Sequence, residues 1–458
     1  MNFINETNTY FEKHRERILA EWFELLAIRS IGVDPLCTAD CARCAAWLKR
    51  FLKKLGFEVL IKAPEGGTPP VVFAEKSGSS SAPEVLFYGH YDVQPPDPLD
   101  EWHTPPFEPT LLDGRVYARG AQDNKGQLFA FLQGVACLLH NNVPLPTMRI
   151  VLEGQEESGS SALMAHAHEW RKMLQGNVLL VSDTDVHPSG RPAIIVGLRG
   201  VQSLTVTLTG PSYDLHSGMH GGLAPNPALG MARLLATLHD QNGRIAVAGF
   251  ADHVEPPSAR ELELLREVPF DVGGYKQEIG VLPAGGEQGI PPDERVAFMP
   301  TIEVNGIHSG YGGAGSKTVI PATALAKLSM RLCPGQSPAA TMQAVEEHLR
   351  ANCPRGLKLT LSNINVSAPG FRLPLNSPIF QLATDVLTTM DSRGPVYRWS
   401  GASIPVISTL RHVSGAAPLL VGFGREEDRI HCANESFSLQ QFQQVMSYAT
   451  GILRELAG

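Results

Sequence analysis

The sequence predicts an α/β main domain interrupted by an inserted α+β module. Strand-like and helix-like stretches alternate up to Arg199, the usual signature of a largely parallel or mixed sheet flanked by helices. From there one-sided strands alternate with helices, and near Ser377 the first texture returns. The simplest architecture is a discontinuous domain over 1–198 and 375–458, with residues 199–374 inserted. A length of 458 residues favours more than one domain in any case.

In order, strands are expected at Glu58–Ile61, Pro70–Glu75 and the strongly apolar Glu84–Tyr88. A helix follows over Gln127–His140, then strands at Met148–Leu152 and Asn177–Val181. In the insert, Leu204, Val206 and Leu208 alternate with threonines, as on a half-exposed strand. Asn226 caps a helix running to Asp240, with Pro227 at its first position. After a Pro/Gly-rich passage (Glu255–Pro300), a strand over Ala324–Leu332 turns Ala326, Leu328 and Met330 one way and Lys327, Ser329 and Arg331 the other. Pro338–Ala351 is helical, with Met342, Val345 and Leu349 on one face. The final part holds a helix from Ser377 to Thr388, a strand over Pro418–Gly422 and a helix from Ser438 to Leu456.

Composition is that of a globular enzyme, 43% hydrophobic and 18% charged. A net charge of -8 argues against nucleic acid as a partner. The N-terminal residues carry charges throughout and the apolar runs are of core length only, so neither a signal peptide nor a membrane span is expected. Seven cysteines without a secretory signal make a disulfide framework a poor reading, and a cytoplasmic location follows as the expectation. Cys37, Cys41 and Cys44 lie on one side of a helix with Ala45, Leu48 and Leu52, which reads as a buried helix start rather than a metal site.

The chemistry sits where strands end. His90 and Asp92 close the apolar strand in GHYDVQP, and their i, i+2 spacing points them the same way, so the carboxylate can hold the imidazole. Asp123 stands in RGAQDNKG immediately before a helix. Glu156 and Glu157 adjoin in LEGQEESGS after the strand Met148–Leu152, a poor structural choice unless cations are near. Asp183 follows another strand in LLVSDTD, and His431 stands in RIHCANES after the last. Each alone has an ordinary reading as a cap, a turn residue or a core histidine. Together, at successive strand ends, they form a set of oxygen ligands with a minority of imidazoles, suited to zinc, manganese or cobalt. No cysteine belongs to the set, unlike a structural zinc site.

In their order and spacing these runs resemble the carnosinase and cytosolic non-specific dipeptidase group of the aminoacylase/desuccinylase metallopeptidases, across nearly the whole chain. The resemblance implies a di-metal hydrolase of dipeptides or short peptides, with zinc as the expected ion and the insert as a lid and dimerisation domain. It implies that Asp123 bridges two metals, that His90 and Asp183 complete one, and that Glu157 and His431 complete the other. Glu156 is then the general base and Asp92 the residue that orients His90. DLHSGMHGG resembles the lid motif of that family, giving His216 the task of reaching a partner subunit's site in a homodimer. His220 in the same run departs from the family pattern and receives no role. Arg331 matches the binder of the substrate's terminal carboxylate, with Thr318 and Ser403 at further substrate positions.

The rival is a deacylase of N-acyl amino acids, with the same metals and base. A binding protein that had lost catalysis would have lost Glu156 or a ligand, and all are present. Gly310–Gly315 fits a dinucleotide fingerprint literally, but the extended, proline-stopped Thr318–Pro321 follows it where a helix is required. WHTPPF over 102–107 reads as a packed loop wall.

Overall fold

A computed structural model describes residues 3–64, 66–366 and 369–458. They fall into two compact units: Met1–Val196 with Leu373–Arg398 and Val406–Gly458, and Gly197–Arg372 with Trp399–Pro405.

The first unit is built on strands β1 (Glu58–Lys62), β2 (Val71–Lys76), β3 (Val85–His90), β4 (Met148–Glu153), β5 (Val178–Val181), β6 (Ala193–Leu198) and β7 (Ala417–Leu420). They lie side by side in the order β1-β2-β4-β3-β5-β7-β6. The central strands β4, β3, β5 and β7 are parallel, while β1 and β2 at one end and β6 at the other run antiparallel to their neighbours. Central strands covered on both faces should be apolar throughout, and β3 and β5 are buried at every position. The helix Lys125–His140 is buried along nearly its whole length, which is why its sequence lacks an amphipathic stripe. The helix Thr38–Lys54 buries Cys41 and Cys44 with Ala45, Leu48 and Leu52, and Cys37 is buried at its start; all three thiols are free.

In the second unit a four-stranded antiparallel sheet runs in the order Thr301–Ser309, Thr323–Leu332, Gly200–Thr209, Lys358–Val366. The alternation read from the sequence is its two-sidedness: Leu204, Val206, Leu208, Ala326, Leu328 and Met330 pack with Met231, Leu234, Met342, Val345 and Leu349 of two helices. The helix from Pro227 stops at Ala236, short of the expected Asp240, where the Thr237 hydroxyl bonds back to the Leu234 carbonyl at 2.7 Å. The Pro/Gly-rich passage holds three short helices, Ala259–Arg266, Val272–Ile279 and Pro292–Phe298. The first is closed by a capping box between Ser258 and Glu261, the second by Asp271 on Gly274 N. Trp399–Pro405 joins this unit through Arg199, whose guanidinium bonds the carbonyls of Gly401 at 3.0 Å and Met299 at 3.1 Å.

Candidate metal centre

Because β4, β3, β5 and β7 are parallel, their carboxyl ends open on one side of the sheet. His90 is the last residue of β3. Glu156 and Glu157 form the 3-10 turn after β4, and Asp183 lies just beyond β5. His431 comes from the loop after β7, and Asp123 from the turn preceding the helix Lys125–His140. That turn begins at Gly120, whose φ of +82° is a conformation a side chain resists.

Five of these side chains meet in two groups sharing one carboxylate. His90 Nε2 stands 3.2 Å from Asp123 Oδ1 and 3.5 Å from Asp183 Oδ2. His431 Nε2 stands 3.0 Å from Asp123 Oδ2 and 3.2 Å from Glu157 Oε2. Within each group the candidate ligand atoms all lie within 4.8 Å of one another. His90 Nε2 is buried and makes no hydrogen bond, although two carboxylates surround it. A buried nitrogen with acceptors around it and a bond to none of them fits a ligand awaiting a cation.

Asp92 works behind the groups. Its carboxylate lies 3.4 Å from His90 Nδ1, and it accepts the backbone N–H of Glu156 at 3.2 Å and of Glu157 at 3.1 Å. The hydrogen bond of His90 Nδ1 is to the Asp92 backbone carbonyl at 3.2 Å, while the carboxylate anchors the acidic turn, which the sequence did not reveal.

The electrostatics are those of an acidic cup. Burial alone would lower the pKa of His90, but the carboxylates of Asp183, Asp123 and Asp92 outweigh it and hold the ring well above its usual range. Hydrogen bonds to Asp123 and Glu157 push His431 up to about 10. Burial resists ionisation of Asp123, yet the two imidazoles bring it below the usual carboxylate range. Burial pushes Glu156 up to about 8, with His90 opposing and Asp183, Glu157 and Asp123 adding to the rise. A divalent cation held among these carboxylates would compete with protons for both imidazoles.

Three further residues support the ligands. Gln94 Nε2 donates to Glu157 Oε2 at 2.9 Å. Asn124 Nδ2 donates to Asp183 Oδ1 at 2.6 Å and to the Ser182 carbonyl at 2.8 Å. Glu435 accepts backbone N–H groups from the Asp123 turn. All three stand inside the runs quoted above, but a carboxamide or acid beside a ligand carries no periodicity that marks it as buried. Lys125 of the same run is no ligand: its buried ammonium donates to the carbonyls of Leu25 and Ile28.

The family model for peptidase family M20/M25/M40 matches residues 86–455, most of the chain and every residue of the two groups. The chain belongs to this family. As an M20/M25/M40 peptidase it is a metal-dependent hydrolase that works with divalent ions. It is 28% identical to the Beta-Ala-His dipeptidase of Rattus norvegicus over 98% of this chain and 94% of the relative. It is 29% identical to a Cys-Gly metallodipeptidase of Schizosaccharomyces pombe over 97% of each. Among solved structures it resembles an M20 family metallo-carboxypeptidase from Sulfolobus solfataricus, with a TM-score of 0.82, 28% identity, and coverage of 96% of this chain and 99% of that one.

The remaining sequence candidates belong to the second unit, in two local pairs. His216 lies on the short strand Leu215–His216, which pairs with Val319–Ile320, and the Thr318 carbonyl accepts the N–H of Ser217 at 3.0 Å. His216 is exposed, and its Nδ1 accepts the N–H of Gly218 at 3.0 Å. The neutral ring therefore carries its proton on Nε2. Arg331 Nη1 donates to Ser403 Oγ at 2.9 Å. Gly310–Gly315 is an exposed connection leading to the strand Val319–Ile320, with no helix after it. No helix among the described residues is long and apolar enough to cross a membrane.

Proposed function

We propose that the chain is a dipeptidase whose discontinuous first unit is catalytic and whose second unit is a lid and dimerisation domain. The observation that carries this reading is the carboxylate of Asp123, shared between the His90–Asp183 and Glu157–His431 groups. Two cations would be held there, the first by His90, Asp123 and Asp183, the second by Asp123, Glu157 and His431. Two imidazoles among carboxylates, without a thiolate, suit zinc, with manganese or cobalt as alternatives. When bound, such ions lower the pKa of a water and polarise the scissile carbonyl.

The side chains divide the remaining work. Glu157 is turned to His431 and Gln94, which leaves its neighbour Glu156 outside the ligand set. Glu156 takes the proton of the attacking water and delivers it to the leaving amine. Arg331, with Ser403 at its guanidinium, binds the terminal carboxylate of the substrate, an anion that suits its planar donors. Thr318 supplies a further substrate contact beside His216.

His216 is assigned to the oxyanion, which its Nε2–H is suited to bind, in the site of a partner subunit. The outermost strand Thr301–Ser309 exposes Val304 and Ile307, at 41% and 61%, beside Glu303, Asn305 and His308, a mixed sheet edge that a second copy would cover. His216→Ala is expected to lower kcat by roughly 100-fold or more, the usual cost of removing an oxyanion donor. In a mixture with Glu156→Gln chains, activity should reappear, because the mixed dimer holds one site with both residues intact. A mixture that stays inactive while mixed dimers form would refute the exchange.

The substrate class is tested by hydrolysis of free dipeptides, including β-Ala-His and Cys-Gly, beside N-acetyl and N-succinyl amino acids, with metal-loaded protein. The dipeptides are expected to turn over at least tenfold faster in kcat/KM. A preference for the acylated amino acids would keep the metal centre and move the chain to the deacylases.

A further inference from the structure

We infer that Glu435 is the positioning residue that fixes Asp123 relative to His431. It rests on the metal assignment proposed above and concerns a side chain with no part in the ligand set. Glu435 is buried, and both of its oxygens are saturated by one short stretch of chain. Oε2 accepts Arg119 Nη1 and Gly120 N, each at 2.8 Å. Oε1 accepts Gln122 N and Asp123 N, each at 3.0 Å. One of the donors is thus the backbone of the shared ligand itself. The acid stands just after His431 on the same segment, so a single carboxylate ties together the two chain segments whose side chains meet at 3.0 Å.

The surroundings hold that carboxylate in place. Arg119, its buried counter-charge, is itself pinned: Nη2 donates to the Pro95 carbonyl at 3.2 Å, and the guanidinium lies 5.4 Å from the centre of the Trp102 ring. Asn434 accepts the N–H of His103 at 2.7 Å and donates to the Glu101 carbonyl at 2.9 Å. The Ala118 N–H bonds the Glu435 carbonyl at 3.1 Å, continuing the pairing of Arg115–Tyr117 with Ser436–Ser438. A buried acid so close to a cluster of carboxylates is electrostatically unfavourable, and a stability role alone would be met by a neutral side chain. What only a carboxylate provides is acceptance of all these N–H groups at once. A carboxamide turns an NH2 towards one of the two donor pairs and must push it away.

The test uses the full chain freed of metal and titrated with Co2+, followed by visible absorption and calorimetry, for the native protein, Glu435→Gln and Glu435→Asp. Glu435→Asp keeps the charge opposite Arg119 but is one methylene too short to reach every donor. The native protein is expected to take up two equivalents. Both variants should bind the second equivalent about 10–100-fold more weakly, the usual cost of losing an outer-shell partner, with a changed absorption band for that ion. Glu435→Asp should at the same time keep a near-native melting temperature when metal-free, and KM for a dipeptide should not change at saturating metal.

Two native-affinity equivalents in both variants would overturn the inference. So would loss of the fold in both metal-free variants, which would make Glu435 a structural residue only. A native chain that takes up no second equivalent would instead defeat the two-metal proposal, and this inference with it.

Discussion

Glu156→Gln is expected to lower kcat by about 100- to 10,000-fold while metal binding and KM change little. The two side chains differ by one oxygen, and the backbone contact that places residue 156, its N–H to Asp92, does not involve the side chain. Glu157 makes the approach to His431, so the ligand set survives the change. The pH dependence has a definite sign. Burial raises the pKa of Glu156 to about 8, and a general base acts only when ionised, so activity falls as pH falls through its pKa. Cations beside Asp123 and Asp183 offset the carboxylates that add to the rise, so the acid limb of the loaded enzyme should lie below that value. Rates across pH, with metal content assayed in parallel, decide it. A variant within tenfold of native activity would remove Glu156 from the reaction.

Asp123→Ala has the second large effect. It is shared by the two candidate ligand groups found among the described residues, so on the two-ion proposal its loss strikes both ions, whereas His431→Ala strikes one. Activity should fall to background. Metal affinity should drop by more than the roughly 100-fold upper end seen for outer-shell residues, and His431→Ala should keep one equivalent. Elemental analysis after dialysis reads this directly. Equal metal content in the two variants would show that Asp123 is not shared.

The clustering of the candidate ligands was legible because a parallel sheet places strand ends together, and strand ends can be read from apolar runs such as Val85–Tyr88. The side chains of the insert were legible by face, as at Ala326, Leu328 and Met330, because a sheet covered on one side writes its burial into alternation. Gln94, Asn124 and Glu435 were not, since their role is set by contacts far along the chain: Glu435 lies 312 positions from Asp123. The helices between Ala259 and Phe298 were hidden by glycines and prolines that mark their ends and also resemble loop. The move of Trp399–Pro405 to the second unit depends on the reach of Arg199, which no local pattern announces.

The first helix, Phe3–Leu26, is packed against the last, Leu439–Ala457: Thr7 bonds Thr450 at 3.1 Å, Arg454 pairs with Glu6, and the rings of Trp22 and Phe442 lie 4.6 Å apart. On the ribosome this sets an order of events. Gly197–Arg372 carries the sheet and core of the second unit and is made before β7 and the helix Leu439–Ala457, on which the first unit depends. Asp123 is made 308 positions before His431 and 312 before Glu435, and meets them only once both have been made. A chain cut short of His431 would keep the His90, Asp123 and Asp183 group and lack the one that joins Asp123 to Glu157 and His431, so on the two-ion proposal it would be expected to hold one ion instead of two.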